Sequence, residues 1–158
     1  MPAAQAKPGR KVPAFKVPST AGGEFSPGDA AGKWLVLYFY PKDATAGCTT
    51  EAGAFRDLAD AFRRAGAVIL GVSRDSLKSH EKFREKESLP FHLLSDADEK
   101  LCRLFDVIRE KSLYGRKFMG IERSTFLIDG SGVLRREWRK VKVQAHAQEV
   151  LEALRDSR

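Results

Sequence analysis

A run of seven non-polar residues, Trp34 to Tyr40, ends at a proline and constrains the rest of the chain more than any other stretch. Several of the seven are aromatic or β-branched, as suits a strand buried on both faces. Pro41 closes the run because it has no N–H to give to a ladder. The next residues, Lys42 to Gly47, are loop formers. After them Phe55, Leu58, Ala59 and Phe62 recur at i, i+3, i+4 and i+7, one face of a helix. A strand, a tight loop and a helix follow one another, with Cys48 in the first turn of the helix. Free N–H groups and the positive dipole end at a helix start favour an anion, and a thiol placed there loses its proton more easily. On position alone, a buried structural cysteine is an equally good reading.

The remaining pattern is α/β. Ala67 to Ser73 is a second apolar run, and Gly66 before it suits a helix C-terminal stop. Two buried strands joined by a helix make a right-handed βαβ unit with parallel strands. Phe15–Val17 and the stretch around Gly23–Phe25 are expected to pair as a short N-terminal hairpin. Ser76 caps a surface helix from about Leu77 to Glu87. Phe91–Leu94 reads as a strand, and Ser95–Asp98 as the start of a helix to about Phe105. Arg109 to Gly120 is basic and irregular and takes no assignment. Ser124–Ile128 and Val133–Arg139 form a hairpin around Asp129–Gly132, and a last helix runs from about Ala145 to Leu154. Residues 1–11, rich in Ala, Pro and Lys, read as a flexible lead to a single domain over 12–158.

Pro41, Thr45 and Cys48 stand at the spacing Pro-x-x-x-Thr-x-x-Cys. That spacing resembles the signature of the peroxiredoxins. The wider run from Tyr40 to Ala52 is similar to the Q-type branch, the bacterioferritin-comigratory-protein type. Phe91–Asp96, Asp98–Cys102 and Met119–Asp129 resemble the same branch in the same order, so the likeness covers nearly the whole chain. It implies a thioredoxin-like fold, a central mixed sheet flanked by helices, in agreement with the strand and helix order. It also implies a thiol-dependent peroxidase acting on hydrogen peroxide and organic hydroperoxides through a sulfenic acid at Cys48, with no cofactor and no metal. By the same resemblance Arg123 is the active-site arginine, in Gly-Ile-x-Arg-x-x-Phe-Leu-Ile-Asp, and Glu51 orients it. The Thr45 hydroxyl and the Cys48 N–H donate to the peroxide oxygens, and Pro41 covers the site. The chain departs from the branch twice. Ala46 replaces the usual proline before Gly47, and the position five residues after Cys48, where a resolving cysteine often stands, is Gly53. Cys102 is then the remaining candidate for that role. It reads as a half-buried thiol disfavoured as an anion by Asp98, so a one-cysteine cycle completed by thioredoxin, glutaredoxin or a small thiol is expected.

Other functions find less support. Net charge is +7, but basic residues are spread along the chain. The densest group, Arg135, Arg136, Arg139, Lys140 and Lys142, reads as a solvated face, with no nucleic-acid motif beside it. A thioredoxin-type oxidoreductase needs Cys-x-x-Cys, whereas Thr49, Thr50 and Glu51 follow Cys48. His80, His92 and His146 lack metal spacing; His80 and His146 read as helix surface and His92 as a strand residue. Trp34 and Trp138 read as structural. No run reaches membrane-span length, and the first ten residues lack a signal-peptide core. The expectation is a cytoplasmic monomer.

Overall fold

The computed structural model describes residues 5–158. A five-stranded sheet organises it. Strand β1 (Val17–Pro18) pairs antiparallel with β2 (Glu24–Phe25), which is the expected N-terminal hairpin, cut to two residues a side. Then come β3 (Trp34–Phe39), helices α1 (Ala46–Asp57) and α2 (Ala59–Arg64), β4 (Ala67–Ser73), α3 (Leu77–Lys86), β5 (His92–Ser95) and α4 (Lys100–Leu104). A hairpin β6 (Ile108–Leu113) and β7 (Arg116–Ile121), strands β8 (Ser124–Ile128) and β9 (Leu134–Trp138), and α5 (His146–Ser157) complete it. The sheet order is β5-β4-β3-β8-β9. β3, β4 and β5 run parallel, and β8 and β9 are antiparallel. This is the mixed sheet flanked by helices, in thioredoxin-like order, that the pattern implied.

The alternation along β3 explains why its sequence reads as one apolar run. Val36, Tyr38 and Tyr40 face a core layer built with Ala52, Phe55, Phe62, Phe83, Val150, Leu151 and Leu154. Leu35, Leu37 and Phe39 face a second layer with Val12, Phe15, Leu101, Phe105, Val107 and Ile121. Both faces are covered, so no position is left for a polar residue.

Several expectations need correction. The lead is docked from Ala6 onward: the Ala6 N–H donates to Leu104 O, the Gly9 N–H to Leu134 O and the Val12 N–H to Gly132 O, and Ala6 is buried. Residues 1–4 of that lead lie outside the described residues. Helix α4 begins at Lys100 rather than Ser95. Glu99 is left-handed, and buried Asp96 takes the N–H groups of Leu101 and Cys102, so its side chain does the capping from outside the helix. Arg109–Gly120 is a hairpin. Its alternation was hidden because charged and polar residues occupy both faces, and Leu113, Tyr114, Phe118 and Met119 are exposed on it. His80 and His146 are not helix surface; they are 0% and 4% exposed. His80 shares a stripe with Leu77 and Phe83, and His146 shares one with Val150 and Leu154. His92 lies in β5, as expected.

Gly53 sits inside α1, and a Cβ there would meet only the far end of Arg56, at 3.4 Å. Gly53→Ala is therefore expected to stabilise the protein by about 1 kcal/mol. Calorimetry should show a midpoint higher by about 2–4 °C; a lower midpoint would mean that α1 does not tolerate the methyl group.

Candidate active site

The site forms where β3 hands over to α1. The Tyr40 N–H still donates to Val72 O, at 3.0 Å. Half-buried Pro41 cannot continue the ladder, and Ala44 turns the chain through a left-handed conformation, φ 62°. Thr45 follows as the N-cap of α1, with φ −81° and ψ 155°. Its carbonyl accepts the Thr49 N–H at 2.9 Å, the first helical bond. Its side chain does not cap. The Thr45 hydroxyl donates back to Lys42 O at 2.9 Å. The N–H groups of the first turn are thus left free of the cap, with Cys48 at the third helical position.

The expected donation from the Thr45 hydroxyl to the peroxide does not match the geometry. With its hydrogen on Lys42 O, the Thr45 oxygen remains as an acceptor, exposed at the helix start. A ligand that brings its own O–H, as the expected hydroperoxide does, would meet an acceptor here.

Arg123 ties the sulfur to Glu51. It lies between β7 and β8, at the head of the strand that pairs with β3 (Phe39 opposite Ser124), and this register delivers it to the start of α1. Arg123 Nη1 donates to Glu51 Oε1 at 2.6 Å, and Nη2 points at Cys48 Sγ at 3.5 Å. Cys48 and Glu51 are each 1% exposed. Burial pushes the Glu51 carboxyl up to about 7, with Arg123 pulling against it. Glu51 Oε2 has no partner among the described residues, which accounts for the dominance of burial at this group. Arg123, half-buried, is opposed by its own burial, but Glu51 and Cys48 push its pKa above the usual arginine value. A permanent cation thus sits on the sulfur, aimed by a buried carboxyl.

Gly47 belongs to this arrangement and was missed in the sequence. A Cβ there would lie 3.1 Å from Arg123 Nη2. The absent side chain lets the guanidinium rest on the helix start, and a glycine directly before the cysteine was the available signal. Gly47→Ala is expected to push Arg123 off the sulfur and slow oxidation of Cys48 by about tenfold or more. Stopped-flow mixing with hydrogen peroxide measures this, and an unchanged rate would show that Arg123 adjusts freely.

Cys102 is not brought to this site. It packs in the layer on the other face of the sheet from Cys48 and is fully buried, not half-buried. Burial and Asp96 push its thiol well above the usual cysteine range. The acid that acts on it is Asp96, whose carboxylate accepts the Cys102 N–H at 2.7 Å; Asp98, expected to do so, precedes the helix.

The profile of the AhpC/TSA family matches residues 8–137. Peroxiredoxin Bcp of Bacillus subtilis is 52% identical over 148 residues, 94% of each chain. Peroxiredoxin Bcp of Xanthomonas campestris is 59% identical over 125 residues, 79% of this chain and 78% of that one. Among solved structures, Xanthomonas campestris Peroxiredoxin Q superposes with a TM-score of 0.88 at 49% identity, covering 99% of both chains. A structure of the bacterioferritin comigratory protein of that organism, described in terms of alkyl peroxide reduction, gives 0.85 at 52% identity over 90% of both.

Proposed function

We propose, for a chain that belongs to the AhpC/TSA family and is a thiol-dependent peroxidase of the peroxiredoxin type, a cycle that runs through Cys48 alone. The Cys48 thiolate attacks one oxygen of hydrogen peroxide or an organic hydroperoxide. The S–O bond forms as the O–O bond breaks, and the other oxygen leaves with the electron pair and takes up a proton. Arg123 and the Cys48 N–H donate to the peroxide oxygens as that charge develops. The Thr45 oxygen accepts the peroxide hydrogen and fixes its orientation, Pro41 covers the sulfur, and Glu51 holds Arg123. The single observation carrying this reading is the Arg123 guanidinium spanning Glu51 Oε1 at 2.6 Å and Cys48 Sγ at 3.5 Å.

Sulfenic Cys48 is then attacked by an external thiol from thioredoxin, glutaredoxin or a small molecule, which releases water and leaves a mixed disulfide for a second thiol to resolve. Two facts support an outside reductant. The usual resolving position is Gly53. The remaining cysteine lies across the sheet from Cys48, and a disulfide needs Cα atoms within about 7 Å. A cycle resolved by Cys102 would require α4 to leave the core, which makes it the second reading. We place the reaction in the cytoplasm, where thiol reductants are abundant; no helix of the described residues is long and apolar enough to cross a membrane.

Cys102→Ser decides between the two cycles. The variant is expected to retain most dithiothreitol-dependent peroxide consumption. One equivalent of hydrogen peroxide without thiol should leave wild-type Cys48 reactive to dimedone. A stoichiometric Cys48–Cys102 disulfide in the mass spectrum would make Cys102 the resolving residue instead.

A further inference from the structure

A second polar cluster lies directly before the catalytic turn, and the peroxide chemistry does not use it. Asp43 is 7% exposed, His80 0% and Tyr40 1%. The Tyr40 hydroxyl donates to Asp43 Oδ1 at 2.6 Å, and the Ser79 hydroxyl to Oδ2 at 2.8 Å. His80 Nδ1 lies 2.7 Å from the same Oδ2, and Nε2 lies 2.9 Å from Leu94 O. The Asp43 N–H donates to Asp75 Oδ2 at 2.9 Å, and Asp75 is itself held by the Ser73 hydroxyl.

Both ring nitrogens of His80 are engaged. A carbonyl only accepts, so Nε2 carries a hydrogen. Asp43 Oδ2 and the Tyr40 hydroxyl, at 3.4 Å, are the two groups that face Nδ1. Burial opposes ionisation of Asp43, but the bonds from His80 and Tyr40 hold its carboxyl below the usual value. The result is a buried, hydrogen-bonded Asp43–His80 pair that joins α3 to the loop. Asp43, Asp75 and His80 bring three metal-binding atoms within 4.8 Å of one another, but those atoms are already engaged with one another and with neighbouring hydroxyls.

Among the described residues, the other side-chain bonds that reach the loop are those from the Asp43 N–H to Asp75 and from the Thr45 hydroxyl to Lys42 O. Ala44, next in sequence, is left-handed, and Thr45 is an exposed N-cap whose own side chain does not cap. A buried polar pair of this kind is weak as a source of stability and serves better to select one geometry. We propose that Asp43 and His80 are positioning residues for peroxide reduction: by fastening the loop to α3 they place the Thr45 oxygen and the first-turn N–H groups around the peroxide. This rests on Cys48 being the peroxide-attacking thiol.

Two rates on each variant separate positioning from mere stability: oxidation of Cys48 by hydrogen peroxide, which needs the whole pocket, and alkylation by iodoacetamide, which needs only the sulfur. Asp43→Ala and His80→Ala are expected to lower the peroxide rate by about 10², with alkylation within a few-fold of wild type. Asp43→Asn should recover most of the loss, because its amide can still bond Nδ1 and accept from Tyr40. If the alanine variants do not fold, Ser79→Ala carries the test, since it removes a donor to the Oδ2 that faces His80 and so loosens the pair. Its peroxide rate should fall several-fold with alkylation unchanged. Peroxide rates at the wild-type value in folded variants, equal losses in both reactions, or no recovery in Asp43→Asn would each overturn the proposal. Failure of wild-type Cys48 to react with peroxide at all would instead overturn the reading on which it rests.

Discussion

Cys48→Ser is expected to abolish peroxide turnover and leave the fold unchanged. The reason lies in one atom. A hydroxyl forms almost none of its anion near neutral pH, whereas a thiol beside a guanidinium at a helix start supplies a strong nucleophile. The rest of the environment accepts the exchange. Position 48 is a packed site in the layer with Ala52 and Phe55, and serine fills nearly the same volume. The new hydroxyl faces Arg123 Nη2 in place of the sulfur and accepts its hydrogen bond, so no polar atom is stranded. Peroxide consumption coupled to dithiothreitol should fall to the uncatalysed rate, while far-UV circular dichroism and the thermal midpoint stay close to wild type. Substantial residual turnover would remove Cys48 from the centre of the mechanism.

Arg123→Ala is the second large effect, and it acts on two observables. Loss of a preorganised donor typically costs about 10²–10³ in rate, and the rate of Cys48 oxidation should fall in that range. The substitution also strands Glu51. Its Oε1 loses the 2.6 Å bond from Arg123, and its Oε2 already lacks a partner among the described residues. A lone buried carboxyl answers by taking up a proton, which limits the damage to stability without cancelling it. The double variant Arg123→Ala/Glu51→Gln separates the two. It should regain the lost stability, because a neutral amide tolerates the site, and regain none of the rate. Arg123→Lys should sit between, since an ammonium keeps the charge but cannot span Glu51 and the sulfur at once. Oxidation of Cys48 in Arg123→Ala within a few-fold of wild type would mean that the cation is not part of the reaction.

These two residues differ in how they could be found. Cys48 is reached from local pattern: an apolar run, a proline, a loop and a helical stripe place it in a first turn wherever the rest of the chain goes. Arg123 is one arginine among many. Composition and periodicity do not select it, because its role depends on the register of β8 against β3. Only the motif around it pointed there. Gly47 was overlooked because its function is an absence, the room that its missing side chain leaves for Arg123.

The parallel β3–helix–β4 unit, though not the break at Leu58 that divides its helix into α1 and α2, the β8–β9 hairpin and α5 could be read from the chain because their apolar periods are strong and their ends carry Pro, Gly or Ser signals. The β6–β7 hairpin could not, since it buries neither face along most of its length. Helix α4 was placed too early because an Asp96 that caps from a distance looks, in sequence, like the first turn of the helix itself.

Local order thus follows from the sequence, because hydrogen-bonding period and backbone sterics act over a few residues. The partners of charged and polar side chains follow from tertiary structure alone. Whether a histidine in a helix meets water or a carboxylate depends on which element packs over it. For His80 that element is the catalytic loop, through Asp43. For His146 it is β8, through Thr125 at 2.8 Å. The fate of the two thiols was decided in the same way. Nothing in their spacing says that β3, β4 and β8 will lie between them. Once the chain folds around that sheet, Cys48 stands at a helix start beside a cation, and Cys102 is sealed beside an acid on the opposite face.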